Sequence, residues 1–365
     1  MTPEARERLE RLLAGARRLA DPNATDADTL RERLRVSTGL SRAGVDLALA
    51  HCLELDPSES ELEALAASVE PTSRSHVLLS ANVFVAAHRA IALALAASAE
   101  VCVRASRREP EMASFLARET PGLFQLLERL EPVAGEQVFA YGSATTLEEL
   151  SRTLPEGVHL RGHGPGFGLV VCDEQSLESG ERLERMANEL AFDMVLFDQR
   201  GCLSPRLLLL QGSRVSAGRL AEAVADALGE WEKRVPLGSI SSEQRAEATR
   251  YAATLSYSGE LLSAGAGVVG IAPLESPLTL APEGRNLHVL PVANAAARAQ
   301  ALAPQITTFA AVCSAPLRRA LETALPHARP AVLGRMQCPA FDGSVDRRTP
   351  HALRSREIIL TNTVR

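Results

Sequence analysis

Through the first seventy residues, apolar side chains return every third or fourth position. Leu9, Leu12, Leu13, Ala16 and Leu19 fall on one helical face. Thr2-Pro3 places a proline at a first helical position, and Ser58-x-x-Glu61 has the pattern of a capping box. Together these predict amphipathic helices packed on a core. Near Ser75 the period changes. HVLLSAN (76–82) is a short apolar run closing in polar residues, AAHRAIALALAASA (86–99) is a small-residue helix, and EVCVRAS (100–106) is a second short run. A helix of that length between two strands suits a parallel crossover. QVFAYGS (137–143) repeats the theme, with Thr145-x-x-Glu148 as the next capping-box pattern, and GFGLVVCD (166–173) adds a strand.

The alternation continues. Residues 181–192 and 217–233 read as helices on either side of the strand RLLLLQG (206–212). Ser241-x-x-Gln244 opens another helix, RNLHVLPV (285–292) is a strand, and APLRRALETAL with ARPAVLG adds a last helix and strand (315–334). Strands alternating with helices argue for an open, mostly parallel α/β sheet. The chain divides into two α/β regions joined between Asp173 and Asn188. The predicted boundaries are a helical region 1–72, a dinucleotide-binding domain 73–185, a second α/β domain 186–335 and a tail 336–365.

Composition narrows the function. With 365 residues, 46% hydrophobic and 23% charged, the chain has ordinary globular composition and can bury a sizeable core. A formal charge of −6 with acids and bases interspersed offers no basic face, which argues against nucleic acid. Lys233 is the only lysine, in a polar segment, so Schiff-base chemistry is disfavoured. The six cysteines lack C-x-x-C spacing and a histidine cluster, so structural zinc is disfavoured too. The N-terminus has no apolar signal-peptide core, and no apolar run approaches about 18 residues. The expectation is a cytoplasmic protein with reduced thiols.

Among those cysteines, Cys202 stands apart. It follows Gly201 in the polar segment FDQRGCLSPR (197–206), directly before a run of four leucines. A thiol on a loop between helix and strand can act as a nucleophile, with backbone N–H groups near it to stabilise an oxyanion. A plain loop cysteine fits the same pattern. Cys52, Cys102, Cys172 and Cys313 lie in apolar or helical runs and read as core filler. Cys338 lies in a loop after Met336-Gln337.

The segment D-Q-x-G-C-x-S-P-R (198–206) resembles the active-site segment of LuxC-type bacterial acyl-CoA reductases, members of the aldehyde dehydrogenase superfamily. Residues 80–106, YGSATTLEEL (141–150), RGHGPGFGLVV (161–171), GRNLHVLPV (284–292) and LGRMQCPAFDG (333–343) are similar to further landmarks of that family, in the same order. The resemblance runs from about His76 to Asp346. It implies an aldehyde dehydrogenase-like fold, with a Rossmann-type cofactor domain, an α/β catalytic domain and a helical N-terminal region.

The resemblance also implies roles. Cys202 would be the acylated nucleophile, and the Asn82 amide would help the Cys202 N–H form an oxyanion hole. Arg104 and Ser106 match positions facing the adenosine ribose. A guanidinium there suits a 2′-phosphate and favours NADPH over NADH. Gly142 and Ser143 sit where a helix N-terminus would receive the pyrophosphate. There is no G-x-G-x-x-G after a strand. Glu283 falls near the glutamate that contacts the nicotinamide ribose. Hydrolytic relatives keep a glutamate base where this chain has Gly162-His163-Gly164, and His163 is a candidate base.

The implied reaction is reduction of an acyl-CoA or acyl-carrier-protein thioester to aldehyde. Implied partners are that thioester and an acyl-transferring or aldehyde-consuming protein. A cysteine acyltransferase or thioesterase without redox chemistry, or a catalytically degenerate scaffold, are the alternatives. The chain looks shorter than typical members, and REIILTNTVR (356–365) is a candidate intersubunit strand of a homo-oligomer.

Overall fold

The computed structural model describes residues 1–21 and 27–348, which form two compact units. The first comprises Met1–Pro165 with Cys338–Asp346, and the second contains Gly166–Gln337. The chain therefore passes from one unit to the other at 165/166, ahead of the expected boundary at 185/186. The reason is the run 167–173, which is fully buried as a strand of the second sheet. The helices before residue 72 also belong to the first unit and are not a region of their own.

In the first unit, α1 (Pro3–Ala20), α2 (Ala27–Thr38), α3 (Arg42–Cys52) and α4 (Glu59–Ala67) precede the sheet. Thr2 caps α1, and Leu9, Leu12, Leu13, Ala16 and Leu19 are all buried, as the spacing predicts. The Ser58–Glu61 capping box forms with both of its hydrogen bonds. The sheet holds β1 (Arg74–Leu78), β2 (Glu100–Arg104), β3 (Gln125–Leu126), β4 (Gln137–Tyr141) and β5 (His159–His163). Its order is β3-β2-β1-β4-β5, all parallel. Between its strands run α5 (Ala86–Ala97), α6 (Glu111–Glu119) and α7 (Ala144–Thr153). Nearly every side chain of α5 is buried, which explains its small residues: α1 crosses closely enough for Arg8 Nε to donate to the Leu95 carbonyl at 2.9 Å.

The expected box at Thr145 and Glu148 does not form. α7 begins two residues earlier than that box requires, and Ser143 caps it by accepting from Thr146 N at 3.2 Å. The segment 338–346, expected as part of a tail, returns to the first unit. Arg89 donates to the carbonyls of Gly343 (2.7 Å) and Pro339 (2.8 Å), and Phe341 stacks on His88. Cys338 Sγ donates to the His51 carbonyl and lies 3.5 Å from Cys52 Sγ.

In the second unit the sheet holds β6 (Phe167–Asp173), β7 (Pro205–Gln211), β8 (Glu260–Ala264), β9 (Gly267–Ile271), β10 (Leu287–Val292), β11 (Ile306–Val312) and β12 (Arg329–Ala331). Its order is β12-β11-β6-β7-β10-β9-β8, parallel except for the β8–β9 pair. Helices α8 (Gly180–Val195), α9 (Arg214–Arg234), α10 (Ser242–Ser258), α11 (Ala295–Gln300) and α12 (Ala315–Ala324) connect or flank these strands. The glycine-rich stretch after α10 is the β8–β9 hairpin. The candidate intersubunit strand 356–365 lies outside the described residues. Among the described residues, no helix is long and apolar enough to cross a membrane.

Candidate active site

Cys202 sits on a tight turn. Ser204 N donates to the Gly201 carbonyl at 3.0 Å, closing a four-residue turn whose central residues are Cys202 and Leu203. β7 begins at the next residue, so the turn stands at the amino edge of the second sheet. Cys202 is partly exposed, while Gly201, Leu203 and Ser204 are buried. The turn packs hard on β6: Gly168 N donates to the Ser204 carbonyl at 2.8 Å, and a Cβ at Gly168 would overlap the Leu203 carbonyl oxygen. Only glycine permits that approach.

The residues before the turn are strained. Phe197, Asp198 and Gln199 all have positive φ, at 55°, 51° and 62°. For L-residues this costs about 1–2 kcal/mol each, so roughly 3–6 kcal/mol over the run. Buried polar contacts offset it. Asp198 Oδ1 accepts from Arg285 Nε (3.1 Å) and Nη2 (2.7 Å), and Asp198 Oδ2 accepts from Gly238 N at 3.0 Å. Gln199 Nε2 donates to the carbonyls of Pro205 (2.8 Å) and Asn286 (2.9 Å), while its Oε1 accepts from Asn286 N at 2.7 Å. Hydrogen bonds to charged groups contribute about 1.5–3 kcal/mol each, so this set can hold the run. Strain of this kind, over-determined by its surroundings, collects at functional sites.

Sequence reasoning includes Asp198 and Gln199 in the motif but gives them no part. It gives none to Arg285 either, which is itself at φ 66° and 1% exposed. Glu283 is two residues away. Its Oε2 accepts from Gln244 Nε2 at 3.3 Å, and its charge acts on the half-buried Arg206, whose Nε donates to the Ala281 carbonyl.

The other expected residues lie in the first unit, and its topology gathers them. Asn82 follows β1 and is exposed; Arg104 ends β2; Ser106 follows it, its Oγ accepting from Arg108 N at 3.2 Å. Gly142 and Ser143 follow β4, and His163 ends β5. All six therefore stand at the carboxyl edge of parallel strands. The strand order reverses between β1 and β4, and such a switch point is where open α/β sheets bind ligands. Gly142 N donates to the His163 carbonyl at 3.2 Å, and the His163 ring stacks on Tyr141, centroids 4.4 Å apart and planes 15° apart. A Cβ at Gly142 would press on Thr146 at 3.2 Å, so a side chain here would lie over the first turn of α7. Glu109 closes the loop after Ser106 by accepting from Met112 N, and burial pushes its carboxyl up to about 7.

The remaining cysteines are placed differently. Burial raises the thiols of Cys102, Cys172 and Cys313, Cys172 most of all, which makes them poor nucleophiles.

The family model for acyl-CoA reductase (LuxC) matches residues 60–312, well over half of the chain. The chain belongs to the LuxC acyl-CoA reductase family. The chain also shares its fold with aldehyde dehydrogenases. Gamma-glutamyl-gamma-aminobutyraldehyde dehydrogenase from Burkholderia cenocepacia J2315 is 16% identical, with TM-score 0.66 over 96% of this chain and 82% of that one. A mutant of Thermus thermophilus 1-pyrroline-5-carboxylate dehydrogenase is 16% identical, with TM-score 0.64 over 97% and 80%. Lactaldehyde dehydrogenase from Escherichia coli is 13% identical, with TM-score 0.65 over 96% and 84%. No curated protein matches the chain in sequence. Identities this low carry the fold, and the family carries aldehyde-forming reductase chemistry as its class.

Proposed function

We propose that the chain reduces an acyl-CoA thioester to the aldehyde, with NADPH as reductant and Cys202 as the nucleophile. The observation that carries this reading is the Cys202 turn: one partly exposed thiol, held by a strained and buried framework at a strand's amino end. The Cys202 sulfur attacks the thioester carbonyl carbon, a carbon–sulfur bond forms, and CoA leaves as its thiol. His163 is the base for these proton transfers. The family resemblance puts it in the region where hydrolytic relatives keep a water-activating glutamate, and a site without that base would spare the acyl-enzyme from water. The Asn82 amide and the Cys202 N–H hold the oxyanion that forms on the carbonyl oxygen.

The first unit's carboxyl edge fits a dinucleotide. Ser143 and the α7 N-terminus would take the pyrophosphate, with Gly142 leaving room, and Arg104 and Ser106 would take the adenosine ribose and its 2′-phosphate. Glu283 would contact the nicotinamide ribose. NADPH, when bound there, would supply the hydride that reduces the acyl carbon. The tetrahedral adduct on Cys202 then collapses, its carbon–sulfur bond breaks, and aldehyde leaves with the thiolate restored. A cytoplasmic homo-oligomer receiving acyl groups from CoA or a carrier protein is consistent with this chemistry.

The test is Cys202→Ala, assayed by nicotinamide absorbance with a panel of acyl-CoA lengths. Loss of acyl-CoA-dependent NADPH oxidation is expected. Retained oxidation sinks the mechanism. Acyl-CoA consumption by the native protein without NADPH oxidation would make it a transferase or thioesterase.

A further inference from the structure

The strained run fixes the approach to Cys202, and a different group fixes the exit. Ser204 ends the turn and is fully buried. Its N–H bonds Gly201 and its carbonyl bonds Gly168. Its hydroxyl accepts from Gln337 Nε2 at 2.8 Å, 133 residues further along the chain. Gln337 is 5% exposed and also approaches the Asp193 carbonyl, at 3.4 Å. The Asp193 carboxylate, on α8 and fully buried, accepts from Gly334 N (2.6 Å) and Met336 N (3.0 Å). The backbone at 334–336 is thus tied to α8, leaving the Gln337 side chain aimed at Ser204. A buried amide spanning two elements has few alternative partners, so it specifies one arrangement of the groups it joins.

We propose that Gln337 is a positioning residue for the Cys202 turn, acting through the Ser204 hydroxyl. It does not touch substrate. It holds the turn's last residue so that the sulfur, two residues earlier, meets the face of the thioester carbonyl. This rests on the reading of Cys202 as the acylated nucleophile.

The variants are Gln337→Met, which keeps length and volume but removes both donors, Ser204→Ala, and the two together. The readouts are single-turnover acylation of Cys202 by radiolabelled acyl-CoA without cofactor, the KM for NADPH, and the thermal midpoint. Either single variant should acylate about tenfold or more slowly, the scale on which small misplacements cost rate, with the NADPH KM held within about twofold. The double variant should be no slower than the slower single, because both remove one hydrogen bond. Unchanged acylation in Gln337→Met, or losses that multiply in the double variant, overturn the positioning role. Should Gln337→Met fail to fold, Ser204→Ala decides alone: native-like acylation overturns the proposal and slowed acylation with native NADPH KM supports it. A native protein that takes up no label sinks the acyl-enzyme reading, and the positioning role with it. A labelled native protein with equally fast variants sinks the positioning role only.

Discussion

Arg285 and Asp198, 87 residues apart, meet in a pair whose side chains are each 2% exposed, with Nη2 at 2.7 Å from Oδ1. Arg285 Nη1 also donates to Glu232 and to the Val235 carbonyl, both at 2.7 Å. The guanidinium thereby joins the strained run before Cys202 to the end of α9. Removing it would leave a buried carboxylate without its main partner, at about 3–5 kcal/mol. Arg285→Met should therefore lower stability by about that amount in denaturant titration. It should also lower acyl-CoA turnover in the fraction that remains folded. A variant with native stability would mean that the pair contributes little to the fold.

Asn82→Ala tests the proposed oxyanion donor. A lost donor of this kind costs about 10²–10³ in turnover. NADPH affinity, measured by fluorescence titration, should hardly change. Equal losses in turnover and cofactor affinity would instead mark Asn82 as part of the cofactor site.

His163→Phe keeps a ring to stack on Tyr141 and removes both ring nitrogens, which tests the proposed base. Loss of a general base lowers the rate about 10²–10⁴-fold. Stopped-flow acylation should slow on that scale, with an unchanged melting temperature. Native acylation would leave His163 a strand-end residue that braces Tyr141.

Arg104→Ala tests the proposed preference for NADPH. If its guanidinium pairs with a 2′-phosphate, Arg104→Ala loses a charge-assisted bond of about 1.5–3 kcal/mol with NADPH alone. The KM for NADPH should rise about tenfold or more on that basis, while the KM for NADH stays put. Parallel rises would place Arg104 on a group common to both.

How much of the fold and the site is legible in the sequence depends on whether the signal is local. The strands at 100–104, 137–141, 167–173, 205–211 and 287–292 are short runs bounded by polar residues, and each can be read from its own stretch of chain. β11 escapes such a reading, because Thr307 and Thr308 interrupt its apolar run. Both are fully buried, and Thr308 Oγ1 donates to the Arg329 carbonyl across the sheet. The Cys202 loop is legible from its motif, but the parts of Asp198, Gln199 and Ser204 are not. Each depends on a partner 87 or 133 residues away, and positive φ at Phe197 is not written in the residue type.

His88 makes the last prediction one of pH. It is fully buried on α5, both ring nitrogens lack a hydrogen-bond partner, and its ring stacks on Phe341 with centroids 5.4 Å apart. Burial, helped by the neighbouring Arg89 charge, lowers it from 6.5 to about 3. Above pH 6.5 the ring is neutral in both folded and unfolded chains and stability does not depend on it. As pH falls below 6.5 the unfolded chain binds a proton that the folded chain refuses, and stability is lost until about pH 3. His288, lowered to about 4 by burial, acts in the same direction. Asp193 and Glu109 oppose them: both are raised to about 7 by burial, so their protonated forms favour the folded state as pH falls. The parent's pH profile mixes these effects, but the difference from His88→Leu isolates one of them. The variant's advantage in thermal midpoint should be constant above pH 7 and grow steadily from pH 6.5 down to 4. A difference independent of pH across that range would mean that His88 is not held neutral by its burial.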